Sequence, residues 1–177
     1  MKSPKPSVRV LTTKKDVRLQ SGCVPYKIEG GKIHVLLVQS TTSGRWTVPS
    51  GGLEYNMTAE DNAQKETYEE AGVIGELTHD LGSFSFKKST GVKQTCKLFG
   101  LLVTRELKKY PESKMRKRKW HTIAAAEIAV NRGSKQIKRL KKDLKKQMEL
   151  EIAPVNSVIK LKKKGDKPKK DKKAKKK

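Results

Sequence analysis

Lys65-Glu66-Thr67-Tyr68-Glu69-Glu70-Ala71-Gly72-Val73 closes an acidic segment on a glycine, the residue with which helices commonly end. Working back from it, residues 58–71 are predicted to form a helix, with Thr58 as N-cap and Glu60 and Asp61 in the first turn, where acids complement the helix dipole. Residues three and four apart on a helix are neighbours, so Glu66, Glu69 and Glu70 place three carboxylates on one edge of its last turns. Unpaired, they repel one another and oppose the macrodipole, so the segment calls for a cation. Mg2+ prefers carboxylate oxygens and shares its remaining positions with water and substrate phosphates. The competing reading of an isolated Glu-x-x-Glu-Glu is a solvated acidic face paired with nearby lysines.

Outward from the helix, the pattern changes to strands. Residues 17–26 and 33–38 read as a hairpin around the turn Glu29-Gly30-Gly31-Lys32. Arg45-Trp46-Thr47-Val48-Pro49 reads as a short strand stopped by proline, and Ser50-Gly51-Gly52 as a loop able to approach a ligand closely. Parts of 73–86, 95–104 and 117–122 carry strand patterns; 123–130 and 134–150 read as helices, the second with Ile137, Leu140, Leu144 and Met148 in one apolar row. Strands thus surround one central helix.

The spacing Gly51, five residues, Met57, seven residues, Lys65-Glu66 through Val73 resembles the Nudix box, Gly-x5-Glu-x7-Arg-Glu-apolar-x-Glu-Glu-x-Gly-apolar. This resemblance implies a Nudix fold of the α+β class, a mixed β-sheet core flanked by helices as an α/β/α sandwich. Three positions depart from the box. Met57 stands for the first glutamate, Lys65 for the arginine that braces the carboxylates in the family, and Thr67 for an apolar residue. Lysine keeps the charge but lacks the planar fork, so weaker positioning of the helix is expected, with metal binding retained through the three glutamates.

Arg45-Trp46-Thr47-Val48-Pro49-Ser50-Gly51-Gly52-Leu53-Glu54, Glu69-Glu70-Ala71-Gly72-Val73-Ile74-Gly75 and the basic run Arg116-Lys117-Arg118-Lys119-Trp120 are similar to segments of the diphosphoinositol polyphosphate phosphohydrolases. That likeness implies Mg2+ as cofactor, with Mn2+ able to substitute, held by the Ser50 carbonyl, Glu66 and Glu70, and Glu69 as proton acceptor. For substrate it points to Arg9, Arg18, Ser40, Thr41, Lys87, Lys88, Lys93 and Arg116, with Gln20 standing where the family often has a basic residue. Arg45 and Trp46 are expected to be structural, Trp46 packed beneath the loop and Arg45 paired with an acid. Cys23 and Cys96 read as core residues, and His121 has no evident partner in the sequence.

The formal net charge of +24 over 177 residues points to polyanionic company. Two distant cysteines and three histidines lack zinc-ligand spacing, and no apolar run reaches the ~20 residues that span a bilayer. The expectation is a reduced, soluble monomer, cytoplasmic and nuclear. Its parts are a flexible basic arm (1–16), one catalytic domain (17–153) and a disordered lysine-rich tail (154–177) that could hold RNA or another polyanion. The expected reaction is removal of the β-phosphate from diphosphoinositol polyphosphates, with diadenosine polyphosphates also cleaved. The alternatives are mRNA decapping and a non-catalytic module binding RNA or inositol phosphates.

Overall fold

β1 (Arg18–Glu29) and β2 (Lys32–Gln39) form the expected hairpin, Glu29 opposite Lys32, with Gly30 and Gly31 at φ 55° and 71° as a two-residue turn requires. The computed structural model describes residues 17–87, 91–130 and 132–165. After the hairpin come β3 (Trp46–Thr47), β4 (Ser50–Gly52), α1 (Ala59–Ala71), β5 (Val73–Lys87), β6 (Lys93–Glu106), β7 (Arg118–Thr122), α2 (Ile123–Ala129) and α3 (Ser134–Gly165).

The strands build one mixed sheet, seven-stranded among the described residues, in the order β3-β2-β1-β6-β5, with β4 on β1 and β7 on β2. Its central pair is parallel, from Arg18 opposite Gln94 to Tyr26 opposite Leu102, and the remaining pairs are antiparallel. Side chains on a strand alternate between faces. Phe99 and Leu101 therefore join Ala63 and Ala71 of α1 with Cys23, Leu36, Val38 and Val73 in one buried cluster. On the other face of β6, Gly100 lies against Leu140 of α3; a Cβ there would stand 3.1 Å from the Leu140 methyl. Helices thus cover both faces, the expected α/β/α arrangement.

Ser50-Gly51-Gly52, expected as a loop, is a short strand on β1, with Ser50 opposite Gly22. Helix α3 runs past residue 150, where the apolar row ends, and across residues 154–165, which composition assigns to the tail. Lysine and leucine are strong helix formers, so loss of the apolar row does not by itself stop the helix. The chain divides into two compact units, residues 1–141 with the sheet, α1, α2 and the start of α3, and residues 142–177 with its continuation. The expected basic arm 1–16 and the tail beyond residue 165 lie outside the described residues.

Candidate active site

Helix α1 is fastened at both ends. Thr58 caps it by accepting the Asp61 amide at 3.0 Å. Buried Asn62 donates to the Ser21 hydroxyl at 2.9 Å and accepts the Glu54 amide at 3.2 Å, tying the loop before the helix to β1. At the other end Gly72 adopts φ 62° and returns its amide to the Tyr68 carbonyl. No basic residue lies in the last turn of α1. Arg118 of β7 supplies the missing cation, donating to the carbonyls of Ala71, Gly72 and Leu107 and pairing with Glu106. The unfavourable dipole expected from the three glutamates is therefore answered first by the protein's own arginine.

The three glutamates have different surroundings. Glu70 is 5% exposed; its Oε2 accepts the Ser50 amide at 3.0 Å and its Oε1 pairs with Arg116, which also pairs with Glu112. Burial pushes the Glu70 carboxyl up to about 8, aided by the negative charges of Glu66 and Glu112 and opposed by Arg116 and the Ser50 amide. Glu66 packs directly beneath Gly51, where a Cβ would meet its carboxyl carbon at 2.1 Å. Burial raises its pKa to about 7, with Glu69, Glu112 and Glu54 adding to the rise and Lys65 opposing it. Glu69 accepts from Lys65 at 3.1 Å, and the same ammonium reaches Glu54 at 2.9 Å.

Lys65 thus bridges two acids, and Glu54 provides the acid that Met57 does not. Met57→Glu is expected to change turnover less than about threefold, whereas Glu54→Gln loosens Lys65 and Glu69 and costs about tenfold, a fraction of the 10²–10⁴ a general base contributes. Steady-state kinetics of the two variants check this; a Met57→Glu protein many-fold more active than the wild type would transfer the role back to position 57.

A cleft of about 440 Å3 opens beside Glu70. Ser50, Ser40, Thr41 and Arg116 line it as expected, together with Arg45, Trp46, Gln20, Phe84, Phe86, Gln94, Cys96 and Arg132. Arg116 is committed to Glu70 and Glu112, so its first role is to hold acids, where a substrate contact was expected. Arg18, Lys87 and Lys93 do not line the cleft: they are exposed at the end of the sheet, where Lys87 stands opposite Lys93 and Arg18 opposite Gln94. Arg9 and Lys88 lie outside the described residues. Trp46 lies edge-on to His121, with ring centres 5.3 Å apart, and it and Arg45 face the cleft.

Cys23 and Cys96 are buried, with thiols pushed up to about 12 by burial, so neither is poised as a nucleophile. Thr67 is fully buried and donates to the Ala63 carbonyl, which explains how a hydroxyl is accommodated at an apolar position. Sequence reasoning missed Glu54, Glu112, Arg118 and Gln94. Glu54 and Arg118 sat within quoted segments without a partner to suggest a role; Glu112 and Gln94 carried no local signal.

Among the described residues no three acids converge closely enough to hold an ion by themselves. Mg2+ does not need that, since it keeps several waters and uses one or two carboxylates. Glu66 and Glu70 fit this habit: neighbouring carboxylates raise the proton affinity of both, Glu69, Glu112 and Glu54 acting on Glu66, and Glu66 and Glu112 on Glu70, and a divalent cation would relieve the same repulsion. Both carboxyls bind protons more tightly folded than at their ordinary value of 4.5. Their contribution to stability is therefore full below that value and is lost as pH rises through about 7 and 8. Melting scans in chelator should show Tm falling between pH 5 and 8.5, with Mg2+ restoring it most at the alkaline end. A Tm indifferent to both pH and Mg2+ would remove Glu66 and Glu70 from the metal site.

Comparison with known proteins shows the family of the chain. The NUDIX domain model matches residues 18–144. Nudix hydrolase 21, chloroplastic, of Arabidopsis thaliana is 39% identical over 110 residues, covering 59% of this chain and 56% of the relative. Diphosphoinositol polyphosphate phosphohydrolase 3-alpha of Mus musculus is 34% identical over 109 residues, covering 60% and 65%. The chain therefore spans less than two thirds of the length of these relatives. Among solved structures, a C. elegans Ap4A hydrolase binary complex superposes with TM-score 0.63 at 21% identity, covering 72% of this chain and 98% of that one, a likeness of fold.

Proposed function

Because the chain belongs to the Nudix family, we propose that it is a Mg2+-dependent pyrophosphohydrolase acting on diphosphoinositol polyphosphates, from which it removes the β-phosphate, and on diadenosine polyphosphates. The observation that carries this reading is the meeting of Ser50 with Glu70 on the wall of a cleft, with Glu66 held against the adjoining Gly51. Mg2+ would supply neutralisation of phosphate oxygens and activation of the attacking water. Glu66, Glu70 and the Ser50 carbonyl would hold it. The Ser50 amide on Glu70 and the close approach of Gly51 to Glu66 fix the loop to the helix, so these ligands arrive together. Glu69, steadied by Lys65, accepts the proton from the attacking water.

The two substrates share a phosphoanhydride flanked by further phosphates. The inositide is supported by the mouse relative's name and by the basic end of the sheet at Arg18, Lys87 and Lys93. The diadenosine compounds are supported by the cleft itself. Phosphate release from a diphosphoinositol pentakisphosphate and from diadenosine hexaphosphate, each with Mg2+, tests the reading. Glu69→Gln is expected to lower turnover of both by roughly 10²–10⁴-fold. Turnover unaffected by that substitution removes Glu69 as the base, and absence of turnover on either compound removes the proposed reaction.

The lysine-rich C-terminus is an accessory in this proposal. Truncation after residue 153 is expected to leave hydrolysis of small substrates unchanged and to weaken RNA binding, which itself declines steeply with added salt.

A further inference from the structure

Residues 107–117, which join β6 to β7, form a loop whose inward groups are all committed. Leu107 donates its amide to the Gly72 carbonyl and Glu112 donates its amide to the Glu69 carbonyl, both at the C-terminal end of α1. Arg118 closes the loop by donating to the Leu107 carbonyl at 2.8 Å, and Arg116 spans Glu112 and Glu70. Between these anchors, turns over Tyr110–Ser113 and Glu112–Met115 fold the chain back on itself. A compact loop packed by its own groups, with its ends held together, is an Ω-loop, a kind that often carries function.

Its outward groups are of another character. Glu112, the one acid between residues 107 and 118, is spent on Arg116. Lys108, Lys109, Lys114 and Lys117 are exposed, and none pairs with an acid among the described residues. Met115, at the end of the second turn and beside Lys114 in the chain, is 57% exposed. A single exposed apolar side chain is ordinary on a protein surface. Here it is held on an anchored loop among four cations that the protein itself leaves unneutralised.

An anionic bilayer complements both features. Its headgroups meet the ammonium groups, its acyl boundary accepts the thioether, and lysine stems lie along the apolar layer while their heads stay wet. RNA complements only the charge. Single strands add to phosphate contacts by stacking bases on aromatic faces. The loop's aromatic residue, Tyr110, is turned inward, with its ring against Gly72 and its centre 4.8 Å from the Arg118 guanidinium.

We propose that the 107–117 loop docks the protein on an anionic phospholipid bilayer, with Met115 entering the acyl boundary and the four lysines on the headgroups. Docking there holds the cleft next to the headgroups, because Arg116, between Met115 and Lys117, belongs to its wall. The attraction is reversible and salt-dependent, since a polybasic cluster and one small apolar anchor do not fix a protein permanently. The inference does not depend on which phosphate compound the cleft takes, and its failure leaves the hydrolase reading untouched.

The full chain carrying Met115→Cys, labelled with a polarity-sensitive fluorophore, tests it. Cys23 and Cys96 are buried, so the new thiol is the exposed one among the described residues. Phosphatidylcholine vesicles containing phosphatidylserine should move the emission to the blue, brominated acyl chains should quench it, and vesicles of phosphatidylcholine alone should do neither. The probe reports the loop itself, whatever the lysine-rich C-terminus binds. In cosedimentation of unlabelled protein, Met115→Ser is expected to lower vesicle affinity about tenfold, the low end of what burying a methionine contributes. Lys114→Gln should lower it about fivefold, as one lysine near an anionic surface implies. Melting curves establish that the variants are folded. Vesicle binding that leaves the probe's emission and the Met115→Ser affinity unchanged assigns the attraction to other lysines and overturns the proposal. Absence of vesicle binding overturns it too, and a blue shift equally produced by single-stranded RNA overturns it in favour of nucleic acid.

Discussion

Gly51→Ala is expected to lower turnover by about 10²-fold, the loss that a misplacement near 1 Å can cause, while changing Tm little. The added methyl would stand 2.1–2.3 Å from the carboxyl atoms of Glu66. These atoms are the far end of a flexible side chain, so the fold escapes the clash by rotating Glu66 away from the place where we propose that it holds the metal. Gly22→Ala provides the contrast. There the methyl would stand 2.2 Å from the Pro49 carbonyl oxygen, which cannot swing aside, so destabilisation should accompany any loss of activity. Kinetics, Mg2+ calorimetry and melting of the two variants separate the effects. An active Gly51→Ala protein with ordinary Mg2+ affinity would show that Glu66 is not needed where it lies.

Arg118→Met should be among the most destabilising single changes, by about 3 kcal/mol, with a Tm lower by roughly 10 °C for a chain of this size. One guanidinium serves the carbonyls of Ala71, Gly72 and Leu107 together with the Glu106 carboxylate, and lies 4.8 Å from the Tyr110 ring centre. Removing it strips the Ala71 carbonyl of its arginine partner and leaves the Gly72 carbonyl with the Leu107 amide, beside three glutamates. Arg118→Lys should recover only part of the loss, because an ammonium cannot reach all of these oxygens at once. Chemical denaturation measures both, and a change below about 0.5 kcal/mol, the ordinary surface value, would contradict the assignment.

The central helix and its caps were legible because their signals are local. Thr58, Asp61 and Gly72 do in the structure what their spacing implies. The Gly30-Gly31 turn was readable for the same reason. What could not be read is what depends on partners distant in sequence. Nothing near Arg18 announces that its strand runs parallel to the one bearing Gln94, and nothing in Arg116-Lys117-Arg118 says that two of the three turn inward onto α1. The resemblance placed Arg116 among the substrate contacts because basic residues near a phosphate site usually serve that end; here burial beside Glu70 and Glu112 takes precedence. Lys65 was legible as a weakened brace, but its second acid, Glu54, becomes visible only when the loop is folded over the helix.

The parallel pairing of β1 with β6 also bears on how the chain reaches this state. Residues 18–26 wait for residues 94–102, and β2 waits for residues 118–122, so the middle of the sheet is assembled from contacts distant in sequence. Closing such loops costs entropy before the pairing repays it, which slows folding relative to chains dominated by local contacts. During synthesis the β1–β2 hairpin, α1 and β5 emerge first and must persist without β6, the strand that joins β1 to β5. Refolding should therefore be slow and sensitive to substitutions at the β1–β6 seam, and a nascent chain that stops before residue 94 should present an open strand edge to its surroundings.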